Sequence, residues 1–253
     1  AGNLPALNPG QPYSVSFWIY LTEFSPTTNG KLILWRSTDN DLTGSQTKFT
    51  SANPIVFLDP SVNSLYVSIK TTRNLPAQSP ITSLSQLISQ GTGKGVDNTW
   101  TYLTGKVDYV PLQRWVNYTF TVQNNLLSVY QDGSLYTVSD LFDMIDMTCP
   151  ASSTTCVSRP LFNSVVGDMR IGNPTPGCTG TQTNNLTCID DVSGFVSRVQ
   201  FFNYALTSKQ ARAVYYAGPG SGSFLRVMGL PEYGVRSPIY KIDDGGEKSA
   251  DMS

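Results

Sequence analysis

The sequence predicts an all-β chain folded as an antiparallel sandwich. Short segments in which apolar and polar residues alternate recur along the 253 residues, and turns rich in Gly, Pro and Asn separate them. Signals for helices are few and short. Because 40% of the residues are hydrophobic and only 14% are charged, the chain has enough apolar material for a core and too little charge for a disordered polymer. A single sandwich can reach this length, so we expect one folded domain.

The predicted strands follow one another at short intervals. They are residues 13–20, 31–36, 54–58, 64–71, 114–122, 126–131, 135–138, 169–172 and 194–203. Asp132-Gly133 lies between two of them and strongly favours a two-residue hairpin turn. In the segment 114–122 apolar residues occupy alternate positions, so they are expected to face the core. Asn117 lies between them and is therefore expected to face solvent.

One helix is predicted close to the end of the sandwich. Thr207 to Gln210 forms a capping box, and Gly218 is a stop signal after the helical pattern. The segments without strand signals are expected to be inserted loops. We predict a sandwich over residues 1–218 with inserted loops at 72–104, 140–166 and 173–189.

Residues 219–253 are predicted to form an extended C-terminal arm. Apolar side chains separated by Gly and Pro suit a segment that lies over a surface, its own or a partner's. A free tail would be richer in charge and poorer in aromatic residues. A disordered terminus is the alternative. The candidate partner contacts of the arm are Phe224, Tyr233 and Tyr240.

The residue types that most enzymes need are scarce. The chain contains no histidine and only three glutamates, so the commonest general base and metal ligand is missing. Asp190 and Asp191 are adjacent, so in a strand they would point to opposite faces and could not flank one glycosidic bond. We therefore expect no enzyme. The net charge of −1 gives no basis for binding nucleic acid, and no apolar run approaches the ~18 residues of a membrane span.

The four cysteines lie in two close pairs. We expect the disulfides Cys149–Cys156 and Cys178–Cys188, because this pairing closes two short loops. Four cysteines allow other pairings, and zinc is a further alternative, although the usual C-x₂₋₄-C spacing is absent. Disulfides need an oxidising compartment.

Two sequons agree with an oxidising location. Asn117 and Asn185 each begin an N-x-T triplet and are candidate glycosylation sites. Together with the cysteine pairs they predict a protein of the extracellular space or of a virion surface.

Four motifs, in order, resemble the hallmarks of laminin-G-like and pentraxin-like domains. YSVSFWIY at 13–20 resembles their first core strand, and RWVNYTFTVQNNLLSVYQDG at 114–133 resembles their signature hairpin. MRIG at 169–172 and VQFFNYALT at 199–207 resemble the strands that follow. The resemblance covers residues 12–218 and implies a jelly-roll sandwich of the concanavalin A-like lectin/glucanase superfamily. The motifs are also similar to laminin-G-like proteins encoded by large DNA viruses of algae and protists, which implies a minor capsid or virion surface role.

The resemblance also implies a calcium site, since domains of this kind often hold the ion in their end loops through carboxylate and carbonyl oxygens. The candidate ligands are Asp39, Asp41, Asp168, Asp190 and Asp191. A structural role in turns is the alternative, because Asn and Asp side chains bond their own backbone there. The paired-glutamate strand of the family's glycosidases is missing from this chain. No other cofactor is expected.

Two aromatic residues lie at the end of the polar insertion. Trp100 and Tyr102 are candidate contacts to a sugar ring or a neighbouring subunit, with packing on the chain's own sandwich as the alternative. Trp18, Trp35 and Trp115 lie within strand patterns and are predicted to belong to the core.

Two classes of function fit these features. The first is a non-enzymatic structural or interaction protein that binds other subunits of an extracellular or virion surface assembly. The second is a carbohydrate-binding lectin or adhesion module, with or without calcium. Fold alone does not decide between them.

Overall fold

The computed structural model describes residues 4–27, 30–38, 52–71, 84, 87–88, 102–141, 161–172 and 192–220. Residues Ala1–Pro219 form one compact unit, and Gly220–Ser253 form a second. The described residues fold as two antiparallel five-stranded sheets, which confirms the predicted all-β sandwich. No helix in this part of the chain is long and apolar enough to cross a membrane.

Ten strands build the two sheets. They are β1 Tyr13–Leu21, β2 Lys31–Ser37, β3 Ile55–Leu58, β4 Leu65–Lys70, β5 Tyr102–Val107, β6 Trp115–Gln123, β7 Leu126–Gln131, β8 Ser134–Asp140, β9 Asp168–Ile171 and β10 Gly194–Phe202. The first sheet has the order β10-β1-β6-β7-β8, and the second has the order β5-β4-β3-β2-β9. Every predicted strand is present. Only β5 was not predicted, and its first half lies within the segment 72–104 that was expected to be an inserted loop.

The main core contains alternate residues from both sheets. In β6 the core-facing residues are Val116, Tyr118, Phe120 and Val122, as the alternation predicted. The turn Asp132-Gly133 joins β7 to β8 with φ angles of 49° and 74°. Such a pair of positive φ angles is the backbone of the favoured two-residue hairpin turn.

A second apolar cluster lies on the other side of the second sheet. Trp35 and Phe57 belong to it, together with Leu84 and Leu87 from the long insertion. Tyr102 is also part of this cluster. Its side chain is fully buried, and its hydroxyl donates a hydrogen bond to the carbonyl of Ala52 at 2.9 Å. The prediction of Tyr102 as a ligand or partner contact is therefore wrong, because packing inside the chain removes it from the surface.

The predicted helix is present as α1, Ser208–Tyr216, and its capping box is complete. The Thr207 side chain accepts from the backbone N–H of Gln210, and the Gln210 side chain accepts from the backbone N–H of Thr207. These two bonds satisfy N–H groups that the first helical turn leaves without partners. The capping box therefore sets the first residue of α1, Ser208, a few residues after the end of β10.

Helix α1 lies on the outer face of the first sheet. The ring of Tyr215 stacks on Trp18 of β1, with centroids 5.6 Å apart and an interplanar angle of 20°. Ser208 and Tyr130 of β7 share a hydrogen bond of 3.3 Å, and Ala211 is fully buried. The helix thus covers the middle of this sheet.

Candidate functional site

The outer face of the first sheet divides into a covered part and an open part. Beneath α1 the outward residues of β1 and β6 are small and polar, and they are buried. Ser14 and Thr121 share a hydrogen bond of 3.0 Å, and Thr119 donates to Ser16 at 2.9 Å. The backbone N–H of Leu206 donates to Ser14 Oγ at 2.9 Å, which ties the segment before α1 to this layer. Each of these bonds joins two polar groups of the protein, so these groups are not available to a ligand.

Asn117 belongs to this covered layer. It lies on the outer face, as the alternation predicted, but its exposed fraction is 0%. Its Nδ2 donates to Ser16 Oγ and to the carbonyl of Phe17, both at 3.1 Å, and its backbone N–H donates to Asp132. The prediction that Asn117 faces solvent and is available for glycosylation is wrong. The amide nitrogen that would carry the glycan is a buried hydrogen-bond donor.

We expect the folded protein to carry no glycan at Asn117. A glycan added to Nδ2 during synthesis would replace one of the two N–H donors and would need space in a fully buried layer beneath α1, so modified chains should fail to fold. Peptide mass mapping of protein secreted from a glycosylating host measures this directly. A glycan at Asn117 in protein with native circular dichroism would contradict the placement of this strand.

The open part of the outer face carries three aromatic rings in a line, which we call the aromatic row: Phe195 of β10, Tyr20 of β1 and Trp115 of β6. Tyr20 is paired directly with both neighbours in the sheet register. Its ring centroid lies 6.3 Å from that of Phe195 and 5.6 Å from that of Trp115. Three adjacent strands therefore place one ring each at the same level of the sheet.

The aromatic row is accessible to solvent. Phe195 is 63% exposed, and Tyr20 and Trp115 are half-buried. Within the described residues, the hydroxyl of Tyr20 and the indole N–H of Trp115 form no hydrogen bond. Exposed aromatic groups with free polar atoms are characteristic of binding surfaces. When a ligand binds, they bury apolar area and also form hydrogen bonds of defined direction. The row is also free of charged side chains.

A second open surface on the same sheet is aliphatic. Leu126, Leu135 and Val138 are 38%, 53% and 46% exposed, and they belong to β7 and β8. They lack the polar atoms of the aromatic row. We call these three residues the aliphatic patch.

The described residues contain no cluster of three or more Asp, Glu, Cys or His side chains that could hold a metal ion. Asp168 begins β9, and its exposed side chain lies 4.0 Å from Arg170. Of the candidate calcium ligands, it is the one that the structure describes. Asp39, Asp41, Asp190 and Asp191 lie outside the described residues, so calcium binding stays a prediction.

Several other predicted sites also lie outside the described residues. They are the cysteines Cys149, Cys156, Cys178 and Cys188, the sequon at Asn185, and the candidate contacts Trp100, Phe224, Tyr233 and Tyr240. The disulfides, this glycan and these contacts stay predictions.

The sequence pointed to other aromatic residues than those of the row. Trp115 was predicted to be core and is half-buried at the surface, whereas Trp18 and Trp35 are buried as predicted. In the structure Tyr20 and Trp115 occupy outward positions of their strands. Their proximity to Phe195 depends on the register between strands from distant parts of the chain.

The chain matches no protein-family model and no curated protein sequence. Among solved structures, it is similar to the binding domains of botulinum neurotoxin serotypes G and D, with TM-scores of 0.46 and 0.43 and sequence identities of 10% and 12%. The matches cover 83% and 81% of this chain and 37% of each neurotoxin chain. The likeness concerns the sandwich architecture alone, which the strand topology establishes independently.

Proposed function

We propose that this chain is a non-enzymatic binding module of an extracellular or virion surface that holds a neutral glycan on its aromatic row. The observation that carries the proposal is the alignment of Phe195, Tyr20 and Trp115 on three adjacent strands, open to solvent.

The chemistry of the row suits a sugar. A sugar ring presents C–H groups on its faces and hydroxyls around its rim. Aromatic ring faces pack against the C–H groups, while the Tyr20 hydroxyl and the Trp115 indole N–H can bond the hydroxyls. The three side chains of the row carry no charge, which favours a neutral ligand over a sulfated or sialylated one. Three rings in line favour an extended ligand over a single sugar.

The resemblance of the strand motifs to lectin-like domains supports the same proposal, and the scarcity of catalytic residue types supports a role without hydrolysis. Glutamates number three and histidine is absent, so the paired-glutamate strand of glycosidases and an imidazole base are both missing. The module is proposed to bind its ligand and release it unchanged.

A glycan array probed with the purified full-length chain, with calcium and again with a chelator, tests the proposal. We expect retention by neutral oligosaccharides of several residues. Binding that survives chelation is the expected result, since aromatic packing needs no metal. No binding to any neutral glycan, or binding only to charged ones, would contradict the proposal.

A second candidate function rests on the aliphatic patch. Exposed Leu135, Val138 and Leu126 have no polar atoms to offer a sugar, and they resemble the apolar centre of a protein contact. This favours a role as a structural subunit that contacts other proteins of a surface assembly. The double change Leu135→Ser and Val138→Ser should then abolish self-association in sedimentation experiments and leave glycan binding unchanged. A monomeric wild-type chain at high concentration would count against self-assembly through the patch.

A further inference from the structure

We propose that the aromatic row holds three consecutive sugars of a glycan that crosses the strands, and that it selects chains whose successive sugars are twisted against one another. The inference rests on the proposed function and adds the direction, length and shape of the ligand. All three follow from the position of Tyr20 between Phe195 and Trp115.

The direction of the ligand follows from what borders the row on the outer face. At the next outward position of the same three strands lie Trp18, Asn117 and Ser197, and Trp18 is paired with both of the others. Trp18 is 5% exposed beneath the ring of Tyr215, and Asn117 is fully buried. Ser197 Oγ donates to the carbonyl of Pro219 at 2.7 Å. This level of the sheet is therefore covered, and the row is the level that stays open.

On its other side the row borders the ends of the strands. β1 ends at Leu21, β6 begins at Trp115 and β10 begins at Gly194. The open band is thus one outward residue wide along the strands and three strands long across them. A glycan that lay along one strand would contact one ring, whereas a glycan that crosses the strands contacts all three.

The spacing of the rings sets the number of sugars. Neighbouring strands lie ~4.8 Å apart, and the ring centroids of the row are 5.6 and 6.3 Å apart. One pyranose residue of an extended glycan advances the chain by a similar distance, so each ring can contact one sugar. Phe195 belongs to β10, the edge strand of its sheet, so a longer glycan can continue beyond that edge.

The tilt of the rings favours a twisted glycan. The ring plane of Tyr20 makes angles of 57° with that of Trp115 and 49° with that of Phe195. A flat ribbon such as a cellulose chain presents its sugar faces in parallel planes, and only coplanar rings pack face to face against all of them. In a twisted chain such as amylose, each sugar is rotated against the one before it. Rings inclined to one another therefore suit the successive faces of a twisted chain.

Calorimetric titration of the full chain with malto-oligosaccharides and cello-oligosaccharides of two to six sugars tests length and shape together. Both series consist of glucose linked through the same carbon atoms, and the configuration of the linkage alone makes one twisted and the other flat. We expect maltotriose to bind about tenfold more tightly than maltose, with little further gain in longer chains. Cellotriose should bind about tenfold more weakly than maltotriose.

Phe195→Ala removes the ring at the edge of the sheet, and it should reduce the difference between maltotriose and maltose to about twofold or less. Tyr109→Ala removes an exposed ring outside the row and should keep the full difference. Equal affinity of the wild type for maltose and maltotriose, or a full difference in Phe195→Ala, would overturn the assignment of one sugar to each ring.

The shape of the ligand has its own contrary results. Cellotriose bound as tightly as maltotriose would overturn the selection of a twisted chain. Binding of neither series by a protein that holds another neutral glycan would also overturn it, because the row would then select by sugar identity. A protein that binds no neutral glycan at all would instead contradict the proposed function.

Discussion

Gly167→Ala is expected to lower the free energy of unfolding by about 4 kcal/mol or more, or to prevent folding. Gly167 precedes β9 and has a φ of 85°. A Cβ at this position would lie 2.1 Å from the carbonyl carbon and oxygen of Ser37 at the end of β2, and 2.4 Å from the amide nitrogen of Thr38. These are backbone atoms of the paired strand, so they cannot move aside without breaking the β2–β9 pairing.

Gly172→Ala is the matched control for this prediction. Gly172 follows β9, its φ is 70°, and a Cβ there would meet no atom of the described residues within 4 Å. Gly172→Ala therefore measures the destabilisation that a positive φ alone causes, about 1–2 kcal/mol. Chemical denaturation of both variants measures the difference. Equal destabilisation of the two would show that β9 does not lie as closely against β2 as the structure has it.

Gly133→Ala is expected to displace α1 from the first sheet and to cost about 3 kcal/mol. Gly133 is the second residue of the β7–β8 turn, with a φ of 74°. A Cβ there would lie 3.0 Å from the Cα of Arg212 and 3.1 Å from the Cβ of Tyr215, both in α1. The positive φ accounts for about 1–2 kcal/mol, and the remainder comes from the helix that must move.

The readout for this variant is the stack of Tyr215 on Trp18, which contributes to near-ultraviolet circular dichroism. We expect that signal to fall and the amide of Leu206 to exchange faster, because its bond to Ser14 is lost. Gly218→Ala is the control, because Gly218 has a φ of 75° and a Cβ there would meet no atom within 4 Å in the part of the chain that the structure describes. If Gly218→Ala changes both signals as much as Gly133→Ala does, close packing of α1 on the turn is not what holds the helix.

Local patterns predicted those parts of the fold that depend on neighbouring residues. Alternation along β6 gave the correct core face, because a strand turns every second side chain the same way. The capping box at Thr207 gave the start of α1 because its bonds join residues three apart. The turn at Asp132-Gly133 was likewise a property of two adjacent residues.

Features that depend on distant packing were not predictable in this way. β5 lacks a strong strand pattern because Gly105 lies in its middle. A Cβ there would be 3.2 Å from Leu127 and 3.3 Å from Val129 of the first sheet, so the glycine reflects the close approach of the two sheets. The burial of Asn117 was not predictable for the same reason. Alternation placed it on the outer face, but only the docking of α1 decides that this face is covered.

The candidate site was missed for the same reason. Tyr20, Trp115 and Phe195 come from distant parts of the chain, and no single strand contains more than one of them. The register β10-β1-β6 brings them to one level. Trp100 and Tyr102 were predicted as contacts because they are aromatic residues in a polar insertion, yet Tyr102 is buried in the second apolar cluster.

The proposed function stands on the aromatic row, and calorimetric titration with the neutral oligosaccharide best retained on the array tests it most directly. Trp115→Ala and Phe195→Ala should each weaken binding about tenfold or more, equivalent to ~1.4 kcal/mol. Tyr109→Ala is the matched control, since Tyr109 is 56% exposed and lies outside the row. The account predicts that this control binds like the wild type. Undiminished binding by Trp115→Ala and Phe195→Ala, or an equal loss in Tyr109→Ala, would contradict it.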